Sequence, residues 1–402
     1  MNKQQLIDIG QEHIANLMDE NKLLNEKIEK IDFKQILNLY KEAQINKESE
    51  DKIIERIKYT EKDKLKKQEY EHLEDIGSKI ISDGKYAVVT MAGGQGTRLG
   101  HNGPKGTYKI SLNSGDKYLF EIVIESLKKA NQKYNTVIPW YIMTSKENND
   151  QTVQFLEQHN FFGYPSDSIM FFKQGELPLI DKQGKLILQE NGCIKEASDG
   201  NGGIYEAMIK NGVLDNMHKK GIEWVMVGGI DNILLNIADP AFIGLTVSEN
   251  NIIGSKSVVR SSPKEKVGVF CKINGRPGII EYIELPEKMA EETDANGNYI
   301  YGDVNILNHL FNIKALEKIG EAKLPYHAAI KKSPYLNENG EYIIPDESNA
   351  YKFESFIFDA FKQFDDMTIF RVKRNEEFAP IKNAEGADSP ETARELYNNL
   401  NK

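Results

Sequence analysis

The sequence predicts an α/β protein with a doubly wound, mostly parallel sheet, an antiparallel subsheet beside it and an N-terminal helical region. Three observations predict this fold class. From Tyr86 onward, short apolar runs rich in β-branched residues alternate with segments of helical period, which is typical of a parallel sheet with helices on both faces. Between Gly254 and Leu285, strand patterns follow one another without helices. Residues 1–84 are rich in charge and have apolar residues at helical spacing only.

The predicted elements follow in chain order. Amphipathic helices cover much of residues 1–84, and Gly84 is the expected C-terminal cap of the last of them. The next predicted elements are strands at Ala87–Val89, Val137–Met143, Ile169–Phe172 and Trp224–Val227, and helices at Tyr118–Ala130 and Asn149–His159. Because ligands of such sheets bind at the carboxyl ends of strands, the segments that follow these strands are the expected site.

The later part of the chain is predicted to begin with antiparallel strands. These are expected at Gly254–Arg260, Gly268–Ile273 and Gly278–Leu285, with a tight hairpin at Asn274-Gly275. Helices are predicted around Asn305–Glu317 and Glu354–Gln363, and a strand at Met367–Lys373. The predicted division is an N-terminal helical region at 1–84, a main domain at 85–384 and a short C-terminal tail at 385–402.

Composition and charge narrow the class of protein. The 402 residues carry a formal net charge of −10, which argues against a general nucleic-acid or anionic-membrane surface. Two cysteines, Cys193 and Cys271, are too few for a disulfide framework or a zinc site. The sequence has no secretory signal pattern and no run of about twenty apolar residues, so we expect a cytoplasmic protein without a membrane span.

The first predicted strand is followed by a glycine-rich loop that suits a triphosphate. The loop reads Ala92-Gly93-Gly94-Gln95-Gly96-Thr97-Arg98-Leu99-Gly100. Glycines let the backbone approach a ligand closely, successive N–H groups form an anion-binding concavity, and Arg98 and Lys105 add two cations. Two common phosphate motifs fit poorly. Gly106 follows Lys105 where a Walker A loop has Ser or Thr, and Leu99 stands where a dinucleotide loop has its third glycine.

This loop, together with Pro104-Lys105, resembles the nucleotidyltransferase loop of sugar-nucleotide pyrophosphorylases. From Met91 to Gly100 it is similar to the UDP-N-acetylhexosamine pyrophosphorylase branch, and the resemblance continues to about Arg394. It implies a Rossmann-like nucleotidyltransferase sheet. It also implies a uridylyltransferase that forms a UDP-sugar and pyrophosphate from UTP and a sugar 1-phosphate, with N-acetylglucosamine 1-phosphate as the expected sugar. Mg²⁺ is the implied cofactor, and neither nucleic acid nor a membrane is an expected partner.

The implied reaction needs cations and backbone donors rather than a nucleophile, because two anions must be held together while charge develops. The resemblance implies Arg98 at the leaving pyrophosphate, Lys105 at the α-phosphate and Lys382 near the substrate phosphate. Asp231, which follows the strand at Trp224–Val227, is the expected Mg²⁺ carboxylate; the alternative is a helix cap. Without the resemblance, Lys382 is better explained as a solvated lysine.

Recognition of the nucleotide and of the sugar is implied by the same resemblance. The nucleotide-binding residues are expected to be Met91, Ala92, Gly93, Gly94, Lys105, Gln174, Gly200, Asp231 and Lys352. The residues that bind the sugar 1-phosphate are expected to be Asn201, Glu281, Tyr282, Asn305 and Lys382. The Gln174 amide would bind uracil, since an amide both donates and accepts, and Lys352 would contact the UTP phosphates. As the alternative, these side chains belong to surface turns, caps and ordinary strand polarity.

Two other functions stay open from the sequence. One is the same reaction with glucose 1-phosphate, because discrimination between sugars can depend on one or two contacts. The other is a non-catalytic UDP-sugar-binding protein, which has no need of Arg98, Lys105 and Asp231. The presence of all three favours the enzyme.

Overall fold

The computed structural model describes residues 1–18, 21–45 and 52–400. Unit 1, the first of two compact units, consists of Met1–Asp51, Gly175–Gly203 and Leu324–Ile357. Unit 2 consists of Lys52–Gln174, Ile204–Lys323 and Phe358–Lys402. The division at residues 84 and 384 stays a prediction.

The helices are mostly short. In the described residues the α-helices are α1 (Lys3–Asp8), α2 (Glu12–Leu17), α3 (Lys22–Ile28), α4 (Phe33–Gln44), α5 (Lys67–Ser82), α6 (Leu119–Tyr134), α7 (Asn149–Gln158), α8 (Ile204–Lys210), α9 (Val213–Lys219), α10 (Pro240–Ser248), α11 (Glu287–Glu291), α12 (Ile313–Glu321), α13 (Arg374–Glu377) and α14 (Pro390–Leu400).

The strands range from two residues to ten. They are β1 (Ile54–Glu55), β2 (Thr60–Glu61), β3 (Tyr86–Met91), β4 (Lys109–Leu112), β5 (Gly115–Tyr118), β6 (Trp140–Thr144), β7 (Ile169–Lys173), β8 (Glu176–Pro178), β9 (Ile180–Asp181), β10 (Glu196–Ser198), β11 (Trp224–Gly229), β12 (Ile253–Val259), β13 (Val269–Ile273), β14 (Arg276–Ile280), β15 (Asp303–Asn312), β16 (His327–Lys331), β17 (Tyr335–Leu336), β18 (Tyr342–Ile343), β19 (Ala350–Glu354) and β20 (Thr368–Arg371).

A mixed sheet forms the centre of unit 2. Its main path has the strand order β2-β20-β12-β15-β11-β3-β6-β7, and β13 pairs with β15, β1 and β14 beside that path. The run β11-β3-β6-β7 is parallel, as are the pairs of β20 with β12 and β2, whereas β15 is antiparallel to both of its neighbours. The predicted α/β fold, a mostly parallel sheet with antiparallel strands beside it, is confirmed.

Three of the parallel strands are buried on both faces, as their apolar runs indicate. Every residue of β3, β6 and β11 is buried.

Helices α5 and α10 of unit 2 approach each other closely at two glycines. A methyl group on Gly77 would lie 2.0 Å from the Pro240 carbonyl oxygen, and one on Gly244 would lie 2.0 Å from the Leu73 carbonyl oxygen. Only a residue without Cβ allows backbones to approach this closely.

Two predicted turns are confirmed. Gly84 follows α5 with φ of +73°, and the Lys85 N–H donates to the Ile80 carbonyl oxygen at 3.2 Å, as in a Schellman motif. Asn274 and Gly275 join β13 to β14 with φ of +52° and +78°, the left-handed pair that a tight hairpin requires.

Three predictions of secondary structure are wrong. The expected helix at Asn305–Glu317 is strand β15 as far as Asn312, and the Asn312 side chain caps α12 by accepting from the Lys314 N–H. The expected helix at Glu354–Gln363 is the end of β19 followed by a 3-10 helix at Ile357–Gln363. Residues 1–84, which were predicted to be a helical region, also contain strands β1 and β2, and these are too short to leave a periodic pattern in the sequence.

Unit 1 has a hydrophobic core of its own. Asn2, Asn21 and Asp32 begin α1, α3 and α4 by accepting backbone N–H groups, so the predicted amphipathic helices are confirmed there. Their buried side chains pack with apolar residues of the other two segments of this unit. This core contains Leu6, Ile14, Leu24, Ile28, Phe33, Ile36, Ile180, Leu186, Leu188, Ile194 and Phe353.

Two expectations from composition can be compared with the described residues. Both cysteines are buried and free, as expected for a protein without a disulfide framework. No helix in the part of the chain that the structure describes has the length and apolar character needed to cross a membrane.

Candidate active site

The glycine-rich loop leaves β3 at the carboxyl edge of the parallel strands and folds back on itself. The Gly96 N–H donates to the Gly103 carbonyl oxygen at 2.9 Å, and the Lys105 N–H donates to the Gly94 carbonyl oxygen at 3.0 Å. Arg98 lies in the exposed turn between these two bonds. The loop therefore brings Lys105 back beside its own glycines, as the predicted phosphate-binding loop requires.

Asn148, which the sequence analysis missed, holds the first part of the loop. Its side chain is fully buried, and Nδ2 donates to the carbonyl oxygens of Ala92 at 2.9 Å and Gly94 at 3.4 Å. The Ser145 N–H donates to Asn148 Oδ1 at 2.9 Å, which fixes the orientation of the amide. The only sequence signal for this residue is its place directly before α7, where capping residues are common.

Lys105 and Asp231 face each other at this edge. Lys105 Nζ lies 3.9 Å from Asp231 Oδ2, and the two side chains are 14% and 23% exposed. Burial lowers the pKa of Lys105; the Asp231 carboxylate opposes this shift, and the positive charges of Arg98 and Lys382 add to it. Arg98 and Lys382 are thus close enough to Lys105 to act on its charge, and Lys105 in turn faces the Asp231 carboxylate. Such an excess of positive charge attracts phosphate groups.

Lys382 is brought to this place by its backbone. The N–H of the preceding residue, Ile381, donates to the Asp231 carbonyl oxygen at 2.9 Å. Lys382 Nζ lies 3.6 Å from Asp388 Oδ2, and the lysine side chain is 40% exposed. Exposed ion pairs of this kind contribute little to stability, so a substrate phosphate can compete for the lysine.

Asp231 lies just beyond β11. The Ile230 N–H donates to the Met91 carbonyl oxygen at 3.1 Å, which continues the pairing of β11 with β3 as far as Asp231. The next α-helix, α10, begins at Pro240 and is capped by Asp239, so Asp231 does not cap it.

A magnesium ion fits this donor set. Among the residues that the structure describes, no three His, Cys, Asp or Glu side chains group together as metal ligands. Asp231 is a single, partly exposed carboxylate beside cations that suit phosphate. Mg²⁺ commonly takes one or two protein carboxylates and completes its shell with substrate phosphates and water.

Gln174 lies against the glycine-rich loop, as expected for a residue that binds the nucleotide base. Its side chain is 7% exposed, and its backbone N–H donates to the Thr144 carbonyl oxygen at 2.8 Å. A methyl group on Gly93 would lie only 2.7 Å from Gln174 Oε1. Gly93 is therefore needed for the close approach of this amide to the loop.

Glu281 and Asn305 lie on either side of Gly268. A methyl group on Gly268 would lie 2.9 Å from Glu281 Oε1, and the Gly268 carbonyl oxygen accepts from the Asn305 N–H at 3.0 Å. The structure thus brings together two of the predicted sugar-binding residues from β15 and the segment after β14. Tyr282, beside Glu281, is 44% exposed.

Leu307, whose backbone is strained, lies between Asn305 and Asp231. Asn305 Oδ1 accepts from the Leu307 N–H at 2.9 Å, and Leu307 has φ of +54°, a left-handed conformation rare for a bulky side chain. The pairing of β12 with β15 is irregular at this point. A methyl group on Gly229 would lie 3.0 Å from Leu307 Cδ2 and 2.7 Å from Asp231 Oδ1. Irregular strands of this kind occur often beside active sites, where they redirect side chains.

Gly200 and Asn201 belong to unit 1. Gly200 has φ of +91°, and a methyl group there would lie 2.2 Å from the Ser355 carbonyl oxygen. Asn201 Oδ1 accepts from the Ile357 N–H at 2.9 Å. Within unit 1, both residues therefore help to fix the loop that contains them, and Gly200 is buried rather than part of an exposed surface turn. Their nucleotide and sugar contacts stay predictions.

Lys352 also belongs to unit 1, on strand β19. Its Nζ lies 2.7 Å from Glu354 Oε1 in an ion pair whose side chains are 22% and 27% exposed. The predicted contact of Lys352 with UTP phosphates would have to replace or share this carboxylate.

The fold and this constellation are those of an α/β protein that binds a phosphate-containing ligand at the carboxyl edge of its parallel strands. The family model described as UTP–glucose-1-phosphate uridylyltransferase matches residues 32–388, and the chain belongs to that family. The membership implied by the glycine-rich loop is confirmed.

Several relatives share the name of the expected branch. A probable UDP-N-acetylglucosamine pyrophosphorylase of Dictyostelium discoideum is 36% identical over 98% of this chain and 87% of its own length. The human UDP-N-acetylhexosamine pyrophosphorylase-like protein 1 is 39% identical over 80% of this chain, and the match spans 66% of the human protein, slightly under two thirds. A solved structure of the uridine diphosphate N-acetylglucosamine pyrophosphorylase from Trypanosoma brucei, in complex with an inhibitor, superposes with a TM-score of 0.85 at 28% identity, covering 98% of this chain and 83% of that one.

Proposed function

We propose that this protein is a uridylyltransferase that forms a UDP-sugar and pyrophosphate from UTP and a sugar 1-phosphate, with N-acetylglucosamine 1-phosphate as its sugar substrate. The observation that carries the proposal is the approach of Lys105 to Asp231, with Arg98 and Lys382 close enough to act on the charge of Lys105, beside a glycine-rich loop at the carboxyl edge of the sheet. The names of the relatives support the choice of sugar.

The reaction is an in-line attack of a sugar 1-phosphate oxygen on the α-phosphorus of UTP, with pyrophosphate as the leaving group. In this mechanism Lys382 holds the sugar phosphate, Lys105 stabilises the charge that develops on the α-phosphate, and Arg98 stabilises the departing pyrophosphate. The protein supplies positioning and charge rather than a covalent intermediate, which is usual for transfer between phosphates.

Asp231 is the residue that would hold Mg²⁺ in this site. When bound, the ion would neutralise part of the charge on the UTP phosphates and raise the electrophilicity of the phosphorus. Independently of the ion, Asp231 opposes the lowering of the Lys105 pKa by burial.

The remaining residues have recognition roles in this proposal. In unit 2, Met91–Gly94 supply the loop backbone and Gln174 binds uracil. In unit 1, Gly200 is the proposed backbone contact of the base, and Lys352 is the proposed contact of the UTP phosphates. Glu281, Tyr282, Asn305 and Asn201 bind the sugar. The grouping of Glu281 with Asn305 near Gly268 supports part of this assignment. A cytoplasmic location stays a prediction, testable by cell fractionation.

The direct test is release of pyrophosphate with UTP, Mg²⁺ and, separately, the 1-phosphates of N-acetylglucosamine, N-acetylgalactosamine and glucose. Release with N-acetylglucosamine 1-phosphate at the highest kcat/KM is the expected result. Preference for glucose 1-phosphate would retain the chemistry and overturn the proposed sugar. Absence of release with all three, together with binding of UTP in calorimetry, would favour a UDP-sugar-binding protein instead.

A further inference from the structure

Asn232, next to the proposed metal carboxylate, uses both ends of its side-chain amide to hold the segment that leads to Lys382. It is 6% exposed. Its Nδ2 donates to the Glu377 carbonyl oxygen at 2.7 Å, and its Oδ1 accepts from the Ala379 N–H at 2.8 Å. An amide is the side chain that offers one donor and one acceptor in fixed relative positions.

The backbone on either side of Asn232 continues the same connection. The Ile233 N–H donates to the Ala379 carbonyl oxygen at 3.2 Å, and the Ile381 N–H donates to the Asp231 carbonyl oxygen at 2.9 Å. Asn232 itself pairs with Pro380 in an antiparallel bridge. Residues 379–381 therefore run antiparallel to residues 231–233 through a single β-bridge, and Lys382 follows directly.

The Asn232 side chain adds to the two backbone hydrogen bonds of this connection. Asn232 and Pro380 face each other as a non-hydrogen-bonded pair, so the backbone bonds come from their neighbours and the missing N–H of Pro380 costs none of them. The Asn232 amide contributes two further hydrogen bonds, to residues that precede Pro380. A buried carbonyl or N–H left without a partner is unfavourable, so the amide favours this single register of the segment.

We propose that Asn232 is a positioning residue for Lys382. By fixing the segment 377–381 against the end of β11, it sets the distance between the Lys382 ammonium group and the site at Asp231. The proposal rests on the proposed role of Lys382 as the cation that holds the sugar phosphate. Lysine has a flexible stem and Lys382 is partly exposed, so the backbone position sets the range that the ammonium group can reach.

The test is a double-mutant cycle with Asn232→Asp and Lys382→Ala, assayed by pyrophosphate release from UTP and N-acetylglucosamine 1-phosphate. Asn232→Asp keeps the shape and removes the donor to Glu377. We expect it to lower kcat/KM for the sugar 1-phosphate by about 10- to 100-fold, as displacement by about 1 Å can do. In the Lys382→Ala background, we expect the same substitution to lower it by less than about twofold, since coupled residues are not additive.

Two further measurements separate positioning from a loss of folding. The KM for UTP in Asn232→Asp should stay within about twofold of the wild type, whereas a structural defect would change both substrates. Asn131→Asp is the matched control, because this asparagine also bridges two groups, donating to Tyr164 and accepting from the Ile138 N–H, before β6 rather than at the carboxyl edge. It should lower the thermal midpoint and leave the kcat/KM of the folded enzyme unchanged.

The outcomes are distinguishable. An equal fold-loss from Asn232→Asp with and without Lys382 would overturn the positioning role and leave the proposed function intact. Wild-type turnover in Lys382→Ala would overturn the role of Lys382 and the positioning role with it. If Asn232→Asp fails to fold, the cycle is repeated with Asn232→Ser, which retains one donor and one acceptor on a shorter side chain, and the same two results decide.

Discussion

Replacing Gly93 with alanine tests the contact between the glycine-rich loop and Gln174. The added methyl group would lie 2.7 Å from Oε1, 3.1 Å from Cδ and 3.3 Å from Nε2 of Gln174, whereas ordinary contacts begin near 3.4 Å. The amide must therefore move by several tenths of an ångström. It has little room to do so, because Gln174 is only 7% exposed and its backbone N–H is hydrogen-bonded to the Thr144 carbonyl oxygen.

The size of the effect follows from the bonds that this amide can make to uracil. An amide can donate one hydrogen bond to a base edge and accept another, and each neutral bond contributes about 0.5–1.5 kcal/mol. Loss of both would cost about 1–3 kcal/mol, or about 5- to 150-fold in kcat/KM for UTP. Because cytosine presents a different pattern of donors and acceptors, the preference for UTP over CTP should fall by a similar factor.

The assay is pyrophosphate release with UTP and with CTP for the wild type, Gly93→Ala, Gln174→Ala and the double variant. Removing the Gln174 side chain makes room for the methyl group, so Gly93→Ala should have less than about twofold effect in that background. Wild-type preference for UTP in Gly93→Ala would refute the reasoning. An equal loss with and without the Gln174 side chain would refute it as well.

Three further predictions concern the metal, the packing of two helices and a buried histidine. Asp231→Asn should raise the Mg²⁺ concentration for half-maximal rate at least about tenfold, since it removes the charge of the expected ligand; an unchanged Mg²⁺ titration would contradict its role. Gly77→Ala should lower the free energy of unfolding by about 1–3 kcal/mol in urea, because its methyl group would lie 2.0 Å from the Pro240 carbonyl oxygen; an unchanged midpoint would show that α5 and α10 separate freely. Burial lowers the pKa of His309 to about 3. Below about pH 6.5, His309 therefore gains a proton in the unfolded chain but not in the folded chain. As the pH falls through this range, the free energy of unfolding decreases by up to about 1.4 kcal/mol per pH unit. His309→Phe should remove that slope between pH 6 and 5 in urea unfolding, and equal slopes in the two proteins would contradict the assignment.

The parts of the fold that the sequence predicts well have a strong local signal. Strands β3 and β11 are buried throughout, with glycines shortly after the one and at the end of the other, and Gly84 and Asn274-Gly275 occupy turns whose left-handed backbone demands such residues. Strand β15 was mistaken for a helix because its apolar residues are buried on both faces and its middle is irregular at Leu307, so no period of two survives. Pairing with β11 and β12, which the local sequence does not record, determines its structure.

The residues of the candidate site can likewise be separated into those with a local signal in the sequence and those without one. The loop at Gly93 and the cations Arg98 and Lys105 could be found from local chemistry, because glycines and positive charges within a few residues suit a phosphate. Lys382 could be found only by family resemblance, since its nearness to Asp231 depends on backbone bonds between distant segments. Asn148 and Asn232 were missed altogether. An asparagine that holds the backbone of another segment has no distinctive pattern in its own sequence.

Unit 1 is built from three segments that lie far apart in the chain, and this has a consequence for its folding during synthesis. Helices α1–α4 emerge first, but the strand that contains Phe353, part of their core, lies about 300 residues later. At about 5–20 residues per second, a ribosome takes about 15–60 s to supply it. During that interval the apolar faces of these helices lack part of their native cover, and exposed apolar surface of this kind favours aggregation. A chain that stops before Leu324 would retain that exposed surface permanently, even with the glycine-rich loop and Asp231 complete.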